Sequence, residues 1–265
     1  MTTATGRPAR TGRGVVLITG VGRRRGLGAA IALGLAADGH DLILNHWAPY
    51  DARLGLERDG DDTHDVAAEC RARGVRVEVV SGDLADPDEP ARLVAATAAL
   101  GPVRGAVLSH CESVDSHTLD TTVDSWDRHF AVNARAAWLL LRALAGHLPA
   151  APTTEAFLSV VALTSDHTAF NLPYGASKGA LDRTVIAAAI ELGGRGLRAN
   201  VLNPGPIDTG WMTPGLAREL TALTPTGRLG TPADTADLVR FLFSDAGGWV
   251  TGQVLHSNGG FHAAG

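Results

Sequence analysis

A short apolar run over residues 15–18 stops at Thr19-Gly20, and residues 27–37 resume as an alanine-rich segment with helical spacing. Strand, glycine loop and helix in that order narrow the fold more than anything else in the chain, because together they open a parallel α/β sheet. The glycines stand at Gly20, Gly22, Gly26 and Gly28. In such a turn backbone N–H groups can come close to a diphosphate, and the N-terminus of the following helix adds a favourable dipole. A glycine-rich loop is a weak signal by itself; its seat between a strand and a helix gives it weight.

The alternation continues. Further strands are predicted over 41–45, 75–80, 103–109, 155–163, 197–202 and 254–256, with helical segments near 65–73, 87–100, 122–147 and 171–193 between them. The expected class is α/β: a single-domain Rossmann-type doubly wound fold, a seven-stranded parallel sheet with helices on both faces and ligands at the carboxyl ends of its strands. A length of 265 residues, 45% of them hydrophobic and 19% charged, with 32 glycines, agrees with one such domain over 14–265 behind a mobile tail over 1–13. The net charge of −5 argues against nucleic-acid binding by phosphate neutralisation. No run has the length of a membrane span or the form of a secretory signal, so no membrane partner is expected. Cys70 and Cys111 have no CxxC spacing and are too few for a disulfide framework, which makes a reducing cytoplasm the expected location.

The end of the second strand is where a dinucleotide site chooses its cofactor. A carboxylate there would bind a ribose 2′-hydroxyl and a cation would accept a 2′-phosphate. The residues are Asn45-His46-Trp47, without a carboxylate, and Arg23, Arg24 and Arg25 stand in the glycine loop, so NADP(H) is expected over NAD(H). Residues 48–63 are polar and acidic with no clear period, and are read as an insertion or exposed loop.

A helix over 171–193 sets Tyr174 and Lys178 four positions apart on one face, with Ser165 shortly before them. An ammonium beside a phenol favours the phenolate, which makes a tyrosine useful for proton exchange. Upstream, 122–147 carries Trp126, Phe130, Val132, Trp138 and Leu141 at helical spacing, as core or subunit interface, with Asn133 a polar residue among them.

The glycine loop TGVGRRRGLG, Asp83-Leu84, Asn133, Ser165, Tyr174-x-x-x-Lys178 and the run from Asn203 to Thr209 occur in an order that resembles the short-chain dehydrogenase/reductase family, most closely its 3-oxoacyl-carrier-protein reductase branch. The resemblance spans residues 15–261. It implies that Tyr174 is the acid toward a carbonyl oxygen, that Lys178 lowers its pKa and binds the nicotinamide ribose, that Ser165 hydrogen-bonds the substrate oxygen and that Asn133 holds a relay water behind Lys178. The cofactor would run along Gly20, Gly22, Arg25, Gly26, Leu27 and Gly28, past His46, with Asp83 at the adenine and Leu84 and Ser109 beside it. Pro204, Gly205, Ile207 and Thr209 would line the nicotinamide. A small-molecule carbonyl substrate and a homotetramer or homodimer are implied too. An enoyl reductase of the same superfamily and a non-catalytic dinucleotide-binding regulator are the alternatives.

Three places depart from the family's pattern. Five residues separate Gly20 from Gly26 where three are usual, a spacing that resembles the enoyl reductases; those enzymes, however, place six residues between tyrosine and lysine, and this chain has three. Ser109-His110-Cys111-Glu112 stands where Asn-Asn-Ala-Gly is usual, and no third ligand accompanies His110 and Cys111 at metal-site spacing. Ser165 precedes Tyr174 by nine positions rather than thirteen. Asp166 and His167 follow the serine directly, and His167 is a candidate at the substrate mouth or for proton movement. Thr164 is a second candidate for the serine's role. Trp211 and Met212, in a proline-punctuated lid over 210–226, are candidate substrate contacts.

Overall fold

The computed structural model describes residues 14–56, 62–167 and 169–261, and the expected tail over 1–13 lies outside the described residues. Seven strands form one sheet: β1 (Val15–Thr19), β2 (Asp41–His46), β3 (Val77–Ser81), β4 (Val103–Leu108), β5 (Leu158–Leu163), β6 (Leu197–Asn203) and β7 (Val254–His256). All pair in parallel, in the order β3-β2-β1-β4-β5-β6-β7. The order reverses between β1 and β4, so the chain leaves these two neighbours toward opposite halves of the sheet and opens a crevice at their carboxyl ends.

The strands read as continuous apolar runs because both faces are covered. Along β1, Val15 and Leu17 join one core and Val16 and Ile18 the other. The first core is closed by α4 (Glu89–Leu100), α6 (Ala136–Ala145) and α7 (Leu172–Leu192), which contribute Leu93, Leu140, Leu144, Leu181 and Val185. The second is closed by α1 (Leu27–Ala37), α3 (Asp62–Arg71) and α9 (Pro232–Phe243), through Ile31, Leu35, Val66, Val239 and Leu242. Each such side chain contributes about 1.5 to 3 kcal/mol on burial.

Three stretches differ from the sequence reading. Part of the expected loop over 48–63 is a helix, α2 (Ala48–Arg53), with a proline in its first turn, Asp51 near its start and Arg53 at its end; residues 57–61 lie outside the described residues. Six residues give no apolar period, so periodicity cannot reveal such an element. The long helix over 122–147 is broken: α5 (Val123–His129) and α6 flank a π-helical segment, Phe130–Arg135. The expected lid contains α8 (Pro214–Leu223), capped by the Thr213 side chain.

Candidate active site

The loops leaving β1 and β4 meet in the crevice. Gly20 has φ +74°, and a side chain there would collide with the Ser109 carbonyl and the His110 amide, about 2.6 Å and 2.7 Å from its first carbon. At Gly28 a side chain would strike the Gly20 carbonyl, so α1 packs directly on the loop. The first turn of α1 follows Gly26 with no side-chain cap, which leaves its N–H groups to whatever anion the loop receives.

The three loop arginines take separate paths. Arg24 pairs with Glu69 on α3 at 2.7 Å. Arg23 donates to the Thr209 carbonyl at 2.9 Å and lies 3.4 Å from the Asp51 carboxylate. Arg23 and Arg25, with Gly55, Leu56, Asp62, Thr209 and Gly210, line a cavity of about 340 Å³. The segment after β6 is therefore tied to the glycine loop. Pro204 and Gly205 sit at its turn, where the Asn203 side chain accepts from the Gly205 amide, while Ile207 is buried and Trp211 half-exposed beyond them.

The departure after β4 has a structural explanation. His110 is buried, with Nε2 3.0 Å from the Val132 carbonyl and Nδ1 2.6 Å from the Thr19 hydroxyl. A carbonyl only accepts, so Nε2 carries the proton and Nδ1 accepts from Thr19. Burial, followed by the nearby Lys178 charge, pushes this imidazole down to about 3. His110 thus stays neutral and joins β1 to the π segment. The departure at His110 is a structural one.

Ser165, Tyr174 and Lys178 converge at the end of β5. Ser165 lies near enough to Tyr174 to lower its pKa, so the nine-residue approach brings the two together. Lys178 is buried beneath, with Nζ donating to the Leu163 carbonyl at 2.8 Å and lying 5.7 Å from the centre of the Tyr174 ring. The balance of forces differs from that expected of an ammonium beside a phenol. Burial dominates, raising the phenol above its ordinary range and lowering the ammonium below its own; Cys111 adds to the rise at Tyr174, and Ser165 works against it. Asp182, one turn beyond Lys178, is raised by burial and lowered in turn by the Thr164 hydroxyl and Lys178.

Asn133 sits in the π segment, a distortion frequent at functional sites. Its Oδ1 accepts from the Glu112 amide at 2.7 Å, and its Nδ2 donates to the Glu112 carbonyl at 2.9 Å and to Ser177 Oγ at 2.8 Å. Ser177 in turn donates to the Tyr174 carbonyl. Both N–H bonds of the amide are committed, so the side chain braces α7 against the loop after β4.

Residues 20–262 match the family model described as "Enoyl-(Acyl carrier protein) reductase". A short-chain dehydrogenase/reductase of Cladobotryum sp, FrzI, is 35% identical over 252 residues, covering 90% of this chain and 93% of that one. The chain is a short-chain dehydrogenase/reductase. A chloroplastic NADPH-dependent aldehyde reductase-like protein of Arabidopsis thaliana is 33% identical, covering 93% of each. Among solved structures, a blue fluorescent protein from a metagenomic library in complex with NADPH superposes with a TM-score of 0.80 at 29% identity, covering 94% of this chain and 98% of that one.

For a short-chain dehydrogenase/reductase, this chain carries several site features that its motifs do not announce. Tyr50 on α2 lies near Cys111, and burial first, then the Cys111 and Glu112 charges, raises its phenol. The chain has two tyrosines in all, Tyr50 and Tyr174, and both face Cys111; this scarcity was the available signal. Glu112 is buried and held by Arg53 and by Arg128, the latter at 3.2 Å. Arg128 also grips Asp83 through two hydrogen bonds of 2.8 Å and 3.0 Å, so the carboxylate expected at the adenine is already engaged. Leu84 is core, and His46 ends β2. No helix among the described residues is long and apolar enough to cross a membrane.

Proposed function

We propose that this enzyme is an NADP(H)-dependent reductase that interconverts a ketone and a secondary alcohol. The observation that carries the reading is the convergence of Ser165 and Tyr174 over buried Lys178, in the crevice that the glycine loop borders. The residues fit a dinucleotide: the uncapped start of α1 and the close-packed glycines suit its diphosphate, and Arg23 and Arg25 at their cavity suit a 2′-phosphate. Arg23 would then exchange its Asp51 partner for phosphate. The NADPH named for the Arabidopsis relative and for the solved complex favours the same choice.

When bound, the nicotinamide supplies or takes a hydride. In reduction the Tyr174 hydroxyl gives its proton to the carbonyl oxygen, where negative charge grows, and the Ser165 hydroxyl hydrogen-bonds the same oxygen. Lys178 holds positive charge under the phenol, stabilising the phenolate that forms. Asn133, through Ser177 and Glu112, keeps α7 and the loop after β4 in register with this group. A dimer or tetramer belongs to the reading too, supported by exposed Trp138 on α6 and Ile190 on α7.

Tyr174→Phe is expected to fold, bind NADPH and lose at least about a hundredfold in kcat on ketones. Substantial remaining turnover sinks the assignment. The second reading, enoyl reduction, draws on the description of the matching family model and on the five-residue glycine spacing. NADPH oxidation with ketones, aldehydes and 3-oxoacyl thioesters, set against enoyl thioesters, separates the two.

A further inference from the structure

The short connection from Ser165 to Tyr174 carries His167 back toward the residues it links. His167 Nδ1 lies 3.2 Å from Ser165 Oγ, and the His167 backbone N–H donates to that same oxygen at 3.3 Å. The ring meets the Tyr174 ring edge-on, with centres 5.9 Å apart. His167 is otherwise exposed, so one edge of the imidazole faces the catalytic pair and the other faces solvent. On the inner side of the site Lys178 Nζ gives one of its three N–H bonds to the Leu163 carbonyl, the Asn133 amide is bound to Glu112 and Ser177, and His110 to Thr19 and Val132.

We propose that His167 is a positioning residue that acts through Ser165, orienting its hydroxyl and returning protons from solvent to Tyr174. The inference rests on the carbonyl-reductase reading above. After the Tyr174 proton has passed to the carbonyl oxygen, the phenolate takes the Ser165 hydroxyl proton, and the serine oxygen takes one from the Nδ1–H of the neutral imidazole as Nε2, bare in that tautomer, takes one from solvent at the ring's exposed edge. The neutral ring returns to its Nδ1–H form by proton exchange with water before the next turnover, so each turnover draws one net proton from solvent. In oxidation the same sequence runs backward. The charged and titratable groups around this path are Tyr174, Lys178 and Asp182 on α7, Cys111 after β4 with Tyr50 of α2 behind it, and Asp166 beside His167. Of these, only the histidine joins Ser165 to solvent through an imidazole, the side chain best suited to exchange protons near neutrality.

The test uses the full-length enzyme with NADPH and phenanthrenequinone as the carbonyl probe. His167→Ala is expected to lower kcat about tenfold and to change the shape of the pH–rate profile. Affinity for NADPH, read by quenching of protein fluorescence, stays within about twofold, and added imidazole restores part of the rate. His167→Gln can still hydrogen-bond Ser165 but cannot take up a proton, and it stays slow. Full recovery in His167→Gln, or an unchanged pH profile in His167→Ala, overturns the proposal. If both histidine variants match wild type while Tyr174→Phe is inactive, the proposal fails and the reductase reading stands. If Tyr174→Phe retains its rate, or wild type reduces no carbonyl, the reading fails and takes the proposal with it.

Discussion

His110 makes acid stability a property of one side chain. Its folded-state value of about 3 lies below the ordinary 6.5 of an imidazole, so between those values the unfolded chain binds a proton that the folded chain refuses. Stability from this group is complete above pH 6.5 and is lost as pH falls toward 3, by about 1.4 kcal/mol per unit. Urea midpoints should therefore show the protein about 2 kcal/mol less stable at pH 5 than at pH 7 on this account. His110→Asn should flatten that slope, and an unchanged slope would assign it elsewhere. The sequence marked residue 110 as a departure from its family but could not say why. The reason is a contact across 91 positions to Thr19 and another to the π segment, and a pattern of neighbours in the chain does not encode either.

Legibility does not follow the strength of the apolar period: α1 and α7 have little one-sided apolar pattern and are read from their place after a strand and turn, while α8 has a marked one and is read as a lid. The strands follow from their apolar runs, and Tyr174 and Lys178 fall on one helix face as their four-residue interval requires. The π segment was hidden because it lies within one long helical stretch whose apolar residues on either side still read as helix. Helix α2 was hidden because it is short and polar, although it places three side chains against the candidate site: Tyr50 at Cys111, Asp51 at Arg23 and Arg53 at Glu112. Asp51 is buried, and its carboxylate lies about 2.6 Å from where a side-chain carbon on Gly22 would start. A diphosphate entering this loop meets that negative charge. Asp51→Asn is expected to tighten NADPH binding about three- to tenfold at low salt, with a smaller gain at high salt. Weaker binding in the variant would mean that α2 instead holds the cofactor.

On the scale of the whole molecule, the parallel sheet gathers chemistry from distant stretches because every strand delivers its following loop to the same edge. The glycine loop, Ser109 to Glu112, Ser165 and the run from Asn203 to Thr209 all leave strands at that edge, which is why motifs far apart in the chain come together there. What the motifs could not supply was the charge that holds these loops. Asp83, Arg128, Glu112 and Arg53 alternate in sign from the end of β3 to α2. Glu112→Gln removes the carboxylate between Arg53 and Arg128, but Arg53 is about half exposed and Arg128 keeps Asp83, so the cost should be about 1 to 2 kcal/mol. Pairing it with Arg53→Gln should cost less than the sum of the two, and strict additivity would show that the groups act independently.

That alternating chain of charges also sets how the molecule loosens. Arg128 reaches from α5 to the loop after β3, Glu112 stands in the loop after β4, and Arg53 ends α2. Separating any one of these segments strands a charge that its neighbours neutralised, so partial opening is disfavoured over concerted opening. Amide hydrogens of α2 and α5 are therefore expected to exchange with a common opening free energy, as a single cooperative unit. Glu112→Gln should split that unit in two.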